Sequence, residues 1–132
     1  DYPFNAVGFG FAWKMYKEEF SRVEKAGATF LYEEPTQGWP VIGFAVDNSN
    51  HGYWVQTNWD NALYILLNPG GAITWLPLWS DMHILGMNHR IEVERVGDNI
   101  VATVIRLDTN ESKSLETTTT SYIGGRVSFG FG

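Results

Sequence analysis

The sequence of 132 residues contains no cysteine, so disulfide bonds take no part in holding its fold together. Charged residues are scarce, at 18% against the roughly 25% of an average domain. The net charge of −6 and the lack of a Lys/Arg stripe argue against binding to nucleic-acid phosphates. No apolar run reaches the about 18 residues of a membrane helix, and no signal peptide opens the chain. We therefore expect neither a nucleic acid nor a membrane as partner.

What the sequence does contain is apolar and aromatic surface. Hydrophobic residues make up 44% and aromatic residues 15% of the chain, which is enough for one core without a metal ion. The length suits a single domain, which we assign to residues 1–132. Because the chain starts without methionine and stops on strand-like residues, we expect a domain excised from a larger protein.

The clearest local pattern is a β-hairpin at residues 88–107, with its turn at 97–99. In its first arm the side chains alternate between the two faces of a half-buried strand. One face carries Ile91, Val93 and Arg95, and the other carries Glu92, Glu94 and Val96. The turn residues tolerate positive φ, as hairpin turns require.

Further strands follow one another at about ten-residue spacing, separated by Gly, Pro, Asn and Asp. They are predicted at residues 7–17, 28–33, 41–46, 53–59, 62–67, 72–76, 114–120 and 126–131, the segment 114–120 lying at a sheet edge. Residues 77–87 are predicted to be irregular. A helix at 14–26, ending at Gly27, is the alternative for the N-terminal region. This spacing is typical of an antiparallel sandwich or barrel.

Three segments resemble the concanavalin A-like (laminin-G-like) jelly-roll family. Residues 41–55 read as an apolar strand, an Asp/Asn turn and an aromatic strand; 89–100 read as a strand, a Gly-Asp turn and a strand; 124–131 close with Gly-x-Val-x-Phe. The resemblance covers residues 39–131 and implies an all-β antiparallel sandwich. It is closest to carbohydrate-binding modules of polysaccharide-degrading enzymes, including fructan-binding ones.

Sugars are bound by flat aromatic rings that stack on the ring face and by amides that bond the hydroxyls. Trp54, Gln56 and Asn58 lie on one face of the predicted strand 53–59, so they combine both devices. Trp39 and Trp79 stand in loops beside Pro and polar residues. We predict these five residues as the ligand-binding set. Trp13 and Trp75 are predicted to lie in the core.

Particular residues also suggest two other kinds of site. Asp47 and Asn50, in a loop rich in side-chain oxygens, are candidates for a calcium site, with a plain Asn/Asp turn as the alternative. Glu92 and Glu94, two residues apart on one strand face, are ~6–7 Å apart at the backbone by strand rise, and glycoside hydrolysis needs two carboxyl groups ~5–9.5 Å apart. A solvated strand face is the alternative there.

The sequence therefore predicts a monomeric, non-catalytic carbohydrate-binding module that holds a neutral polysaccharide near a covalently linked catalytic domain, outside the cell or at its surface. A small β-sandwich glycoside hydrolase using Glu92 and Glu94 is one alternative. A structural or adhesion domain, in which every tryptophan is buried, is another.

Overall fold

The computed structural model describes residues 3–8, 12–15, 18–32, 39–58, 60–78, 82–119 and 121–131. These residues form strands connected by turns and irregular segments, and none of them lies in a helix, so no helix there could cross a membrane. The eleven strands are β1 (Pro3–Gly8), β2 (Ala12–Met15), β3 (Lys25–Tyr32), β4 (Pro40–Val46), β5 (Gly52–Thr57), β6 (Ala62–Asn68), β7 (Gly71–Pro77), β8 (His89–Val96), β9 (Asn99–Arg106), β10 (Ser112–Thr118) and β11 (Arg126–Phe131).

The strands form two sheets that pack as a sandwich. The five-stranded sheet has the order β1-β3-β8-β9-β10, and the six-stranded sheet has the order β2-β11-β4-β5-β6-β7. Neighbouring strands are antiparallel except β1 and β3, which are parallel. The predicted all-β sandwich is thus confirmed, and β10 lies at an edge as predicted.

The core lies between the two sheets and is built by period-two alternation. In β8, Ile91, Val93 and Arg95 are buried while Glu92 and Glu94 face outward, as the sequence pattern predicted. Large aromatic side chains fill the space between the sheets; those that are fully buried are Phe30, Phe44, Tyr53, Phe129 and Phe131. Each such ring contributes about 1.5–3 kcal/mol by leaving water.

The N-terminal region differs from its prediction. Residues 7–17 are not one strand, because β1 and β2 belong to different sheets. The alternative helix at 14–26 is wrong: β2 runs to Met15, residues 18–24 are irregular apart from a bridge between Phe20 and Gly125, and β3 starts at Lys25. The helix propensity of these residues is outweighed by tertiary packing, because pairing with β8 buries Ala26 and Ala28 in the core.

Asn61, which lies between β5 and β6, holds part of the segment 77–87 that was predicted to be irregular. The Asn61 side chain is buried, and its Oδ1 accepts the backbone N–H groups of Ile84 (2.7 Å) and Leu85 (2.9 Å). Its Nδ2 donates to the Met82 carbonyl oxygen at 3.1 Å. One amide therefore satisfies three backbone groups of residues 82–85, which lie outside the strands among the described residues.

Two basic side chains are buried in the sandwich. His89 is fully buried, with Nδ1 2.7 Å from the Met87 carbonyl oxygen and Nε2 3.0 Å from Thr57 Oγ1. Because a carbonyl only accepts, Nδ1 carries the proton and the threonine hydroxyl donates to Nε2. Arg95 is 4% exposed and donates to the carbonyl oxygens of Val23 (3.4 Å) and Tyr122 (2.9 Å).

Candidate functional site: the aromatic face of the six-stranded sheet

The two outer faces of the sandwich differ in chemistry. The face of the five-stranded sheet is polar and charged; its outward residues include Lys25, Thr29, Arg90, Glu92, Glu94, Thr103, Ser114 and Glu116. On the six-stranded sheet, β4 to β7 present a surface that is mostly apolar and aromatic. We name it the aromatic face and define it by Val41, Gly43, Trp54, Gln56, Tyr64, Leu66, Ala72 and Trp75.

A groove of about 420 Å³ lies on this face. Its lining residues are Trp39, Val41, Trp54, Gln56, Leu66, Leu67, Asn68 and Gly71. The structure thus places Trp39, predicted as a loop candidate, beside Trp54 and Gln56, which were predicted to share one strand face. None of the described residues that line the groove is charged.

Strand pairing explains why these residues meet. Gly43 on β4 lies opposite Trp54 on β5, and Trp54 lies opposite Leu66 on β6. Two residues along the strands, on the same face, Val41, Gln56 and Tyr64 form the neighbouring row. Directly opposed side chains on one face of a sheet are in contact distance. Trp39 joins them because it immediately precedes β4.

The indole of Trp54 is held in a fixed place. A Cβ atom at Gly43 would come within 2.8 Å of ring carbon Cζ3 of Trp54, so the ring lies close over the glycine backbone. The indole Nε1 donates to the Asn50 carbonyl oxygen at 3.2 Å. Trp54 therefore lies along the sheet with one edge fixed, and the side chain stays partly exposed to solvent.

The turn between β4 and β5 supplies that acceptor. Asp47 Oδ1 accepts the backbone N–H groups of Ser49 (2.8 Å) and His51 (2.9 Å), and the bond from His51 is the main reason why the pKa of Asp47 is lowered. The Asn50 carbonyl also accepts Asn68 Nδ2 at 2.8 Å. Asp47 and Asn50 thus stabilise the turn and its contact with Asn68. Calcium binding by these two residues remains a prediction.

Asn58 is not among the described residues that line the groove. Asn58 follows β5, where its backbone N–H donates to the Ala62 carbonyl (3.2 Å) and its carbonyl accepts from Asn61 (2.9 Å), which closes the turn into β6. Trp79 lies outside the described residues. Its role in binding therefore remains a prediction.

A second aromatic pair on this face was missed in the sequence. Tyr64 and Trp75 stack with ring centroids 5.9 Å apart and planes 14° from parallel. Trp75 is 53% exposed, so the prediction that it lies in the core is wrong. The Tyr64 hydroxyl donates to Asp60 Oδ2, and this bond raises the pKa of Tyr64. The predicted core side chain of Trp13 is not described.

The candidate catalytic pair lies elsewhere. Glu92 and Glu94 are on the outer face of the five-stranded sheet, on the opposite side of the sandwich from the groove. Glu92 Oε1 forms an ion pair with Arg90 Nε at 3.1 Å. Within the described ranges, no three His, Asp or Glu side chains gather in a way that could hold a metal ion.

No model of a known protein family matches the sequence, and no curated protein matches it either. Solved structures share its fold, among them a lectin and a carbohydrate-binding module. Basic winged bean lectin, crystallised with Tn-antigen, gives a TM-score of 0.54 at 8% identity over 89% of this chain and 67% of the lectin. The CBM2 module of the evolved Dit protein of Lactobacillus casei BL23 phage J-1 gives 0.51 at 11% identity, over 90% and 60%.

At these identities the likeness shows the fold alone. This chain spans less than two thirds of the length of the phage module. The structural neighbours are a lectin and a carbohydrate-binding module, so the predicted resemblance to a concanavalin A-like jelly roll is confirmed as a resemblance of fold.

Proposed function

We propose that this chain is a non-catalytic carbohydrate-binding module that holds a neutral polysaccharide on the aromatic face. The observation that carries the proposal is the groove, which is lined by the indoles of Trp39 and Trp54 together with Gln56. Indole rings offer flat apolar surface to the C–H face of a sugar, and an amide both donates to and accepts from hydroxyl groups. In the part of the chain that the structure describes, the side-chain amide of Gln56 has no hydrogen-bond partner.

The charge distribution supports a neutral ligand. Acidic and basic side chains occupy the outer face of the five-stranded sheet, whereas the described lining of the groove carries neither. A net charge of −6 would repel an acidic polysaccharide over a distance of about one Debye length. A neutral chain of sugars meets no such barrier.

The module would act by keeping its polysaccharide close to a covalently attached catalytic domain. Linking two binding events raises the effective concentration of the second without any new contact. A monomer is sufficient for this role, and the place of action would be outside the cell or at its surface. The lectin and the carbohydrate-binding module with the same fold support this assignment by analogy.

The exposed indole of Trp75 weighs against the structural-domain alternative, which expects every tryptophan to be buried. The hydrolase alternative places its carboxylates on the face opposite the groove. It would gain support from turnover of a β-glucan that is lost in Glu92→Gln.

The test is affinity electrophoresis in gels containing hydroxyethylcellulose, laminarin, xylan, galactomannan or inulin, with polygalacturonate as the acidic comparison. We expect at least one neutral polysaccharide to retard the protein and Trp54→Ala to abolish the retardation. Val96→Ala, at an exposed apolar position on the other sheet, is the matched control and should migrate like the wild type. Retardation by polygalacturonate alone, or by no polysaccharide, would contradict the proposal.

A further inference from the structure

The aromatic face extends well beyond the groove. Gln56, which lines the groove, is paired directly with Tyr64 on the next strand, and Tyr64 is paired with Trp75 on the strand after that. With neighbouring strands about 4.8 Å apart, the distance from β4 to β7 is about 14 Å. The row from Val41 to Trp75 is therefore one continuous surface with aromatic rings toward both ends.

At the end of this surface formed by β6 and β7, two aromatic rings stack on each other and one of them is exposed to solvent. The Tyr64 ring lies against Trp75, and the hydroxyl of Tyr64 is fixed by Asp60, so the pair is ordered before any ligand arrives. Ordering in advance lowers the entropy cost of binding. Because β7 is the last of the described strands in its sheet, no other strand among the described residues pairs beyond Trp75.

From this geometry we infer that the aromatic face binds an internal stretch of a neutral glycan chain, several sugar units long, rather than a single terminal sugar. The inference rests on the proposed function. The groove with Trp39 and Trp54 takes one part of the chain, and the Tyr64–Trp75 pair stacks on a sugar farther along. A sugar ring is comparable in size with the six-membered ring of an indole, so about 14 Å accommodates more than one unit.

An extended site and an end-binding pocket differ in how affinity depends on the length of the oligosaccharide. Affinity should rise with the length of the oligosaccharide until the chain reaches Trp75, and only the longer chains should depend on that residue. An exposed apolar pair could instead cover a second copy of this chain. That alternative predicts a dimer whose dissociation depends on Trp75 and not on sugar.

The experiment is calorimetric titration of the intact chain with the disaccharide and the hexasaccharide derived from each neutral polysaccharide of the panel. We expect the hexasaccharide of at least one series to bind about tenfold more tightly than its disaccharide. Trp75→Ala should remove that advantage, so that this variant binds the two lengths with similar affinity. Trp75→Phe should retain most of the advantage, and Val96→Ala should retain all of it.

Several results would overturn the inference. Equal affinity for both lengths in the wild type, or an undiminished length advantage in Trp75→Ala, would keep the proposed function and refute the extended site. A dimer in sedimentation velocity that Trp75→Ala dissociates would assign the patch to self-association. Failure of every saccharide to bind would refute the proposed function and this inference together.

Discussion

The indole ring of Trp54 lies so close over Gly43 of the neighbouring strand that a Cβ atom there would approach ring carbon Cζ3 to 2.8 Å. On its other side the same Cβ would collide with Ser128 Oγ. The Trp54 ring therefore packs directly against the backbone of Gly43. Its φ angle is ordinary, so it is required for space and not for backbone freedom.

We predict that Gly43→Ala displaces Trp54 and weakens polysaccharide binding, at a cost in stability of about 1–3 kcal/mol from overpacking. Affinity electrophoresis and urea unfolding would measure the two effects. The double variant Gly43→Ala/Trp54→Ala separates the two contacts, because without the indole only the collision with Ser128 remains. Equal costs of Gly43→Ala in both backgrounds would show that the ring does not rest on Gly43.

Burial lowers the pKa of His89 to about 4, well below the about 6.5 of an exposed imidazole. Between these values the unfolded chain binds a proton that the folded chain does not, so stability falls as the pH falls from 6.5 to 4. The total loss is roughly 3 kcal/mol. Urea unfolding at a series of pH values would measure it.

The control for that titration is His83→Gln, because His83 is exposed. This variant should keep the pH dependence, whereas His89→Gln should lose most of the decline between pH 6.5 and 4. If His89→Gln declines as steeply as the wild type, the buried imidazole is not its source.

Asn61 has a positive φ of 55° and an amide that bonds three backbone groups of residues 82–85. We expect Asn61→Gly to lower the free energy of unfolding by about 2–4 kcal/mol through the unsatisfied groups. Asn61→Ala should cost about 1 kcal/mol more, since alanine adds backbone strain at positive φ. Thermal unfolding compares the two, and a glycine variant as stable as the wild type would contradict this role.

Among the described residues, no carboxylate forms an ion pair with the buried Arg95, and the Nη1 atom of Arg95 makes no hydrogen bond. Burial lowers its pKa, and the guanidinium lies 5.8 Å from the Phe44 ring centre. Since desolvation offsets its bonds to two carbonyl groups, Arg95→Met should change stability by no more than about 1 kcal/mol. Arg95→Ala, which leaves a cavity, should lose about 2–4 kcal/mol. A loss above about 3 kcal/mol in Arg95→Met would show that the charge is needed.

Elements with strict alternation could be predicted from the sequence. The faces of β8 follow its pattern residue by residue, and β11 has the predicted bounds, 126–131. The segment 7–17 could not be assigned in the same way, because no local pattern shows that β1 and β2 enter different sheets. Sheet membership there depends on contacts with β3 and β11, which are remote in sequence.

Site residues could be predicted where the alternation within one strand shows which side of the sheet a side chain points to. They could not be predicted where that side depends on the register between strands. Trp54 and Gln56 alternate with buried Tyr53 and Val55, so their shared outward face could be deduced. The segment 72–76 is apolar at almost every position and shows no alternation. Which of its side chains point outward depends on a register shift at Ile65/Leu66. This shift places Trp75 opposite Tyr64 on the outer face.

Hydroxyl-radical footprinting of the protein, with and without the polysaccharide that retards it, tests the central claim most directly. We predict that the polysaccharide lowers oxidation of Trp54 and Trp75 and leaves Val96 and Leu107, exposed apolar residues outside the aromatic face, unchanged. Unchanged oxidation of both tryptophans, or protection confined to the outer face of β8, would contradict binding on the aromatic face.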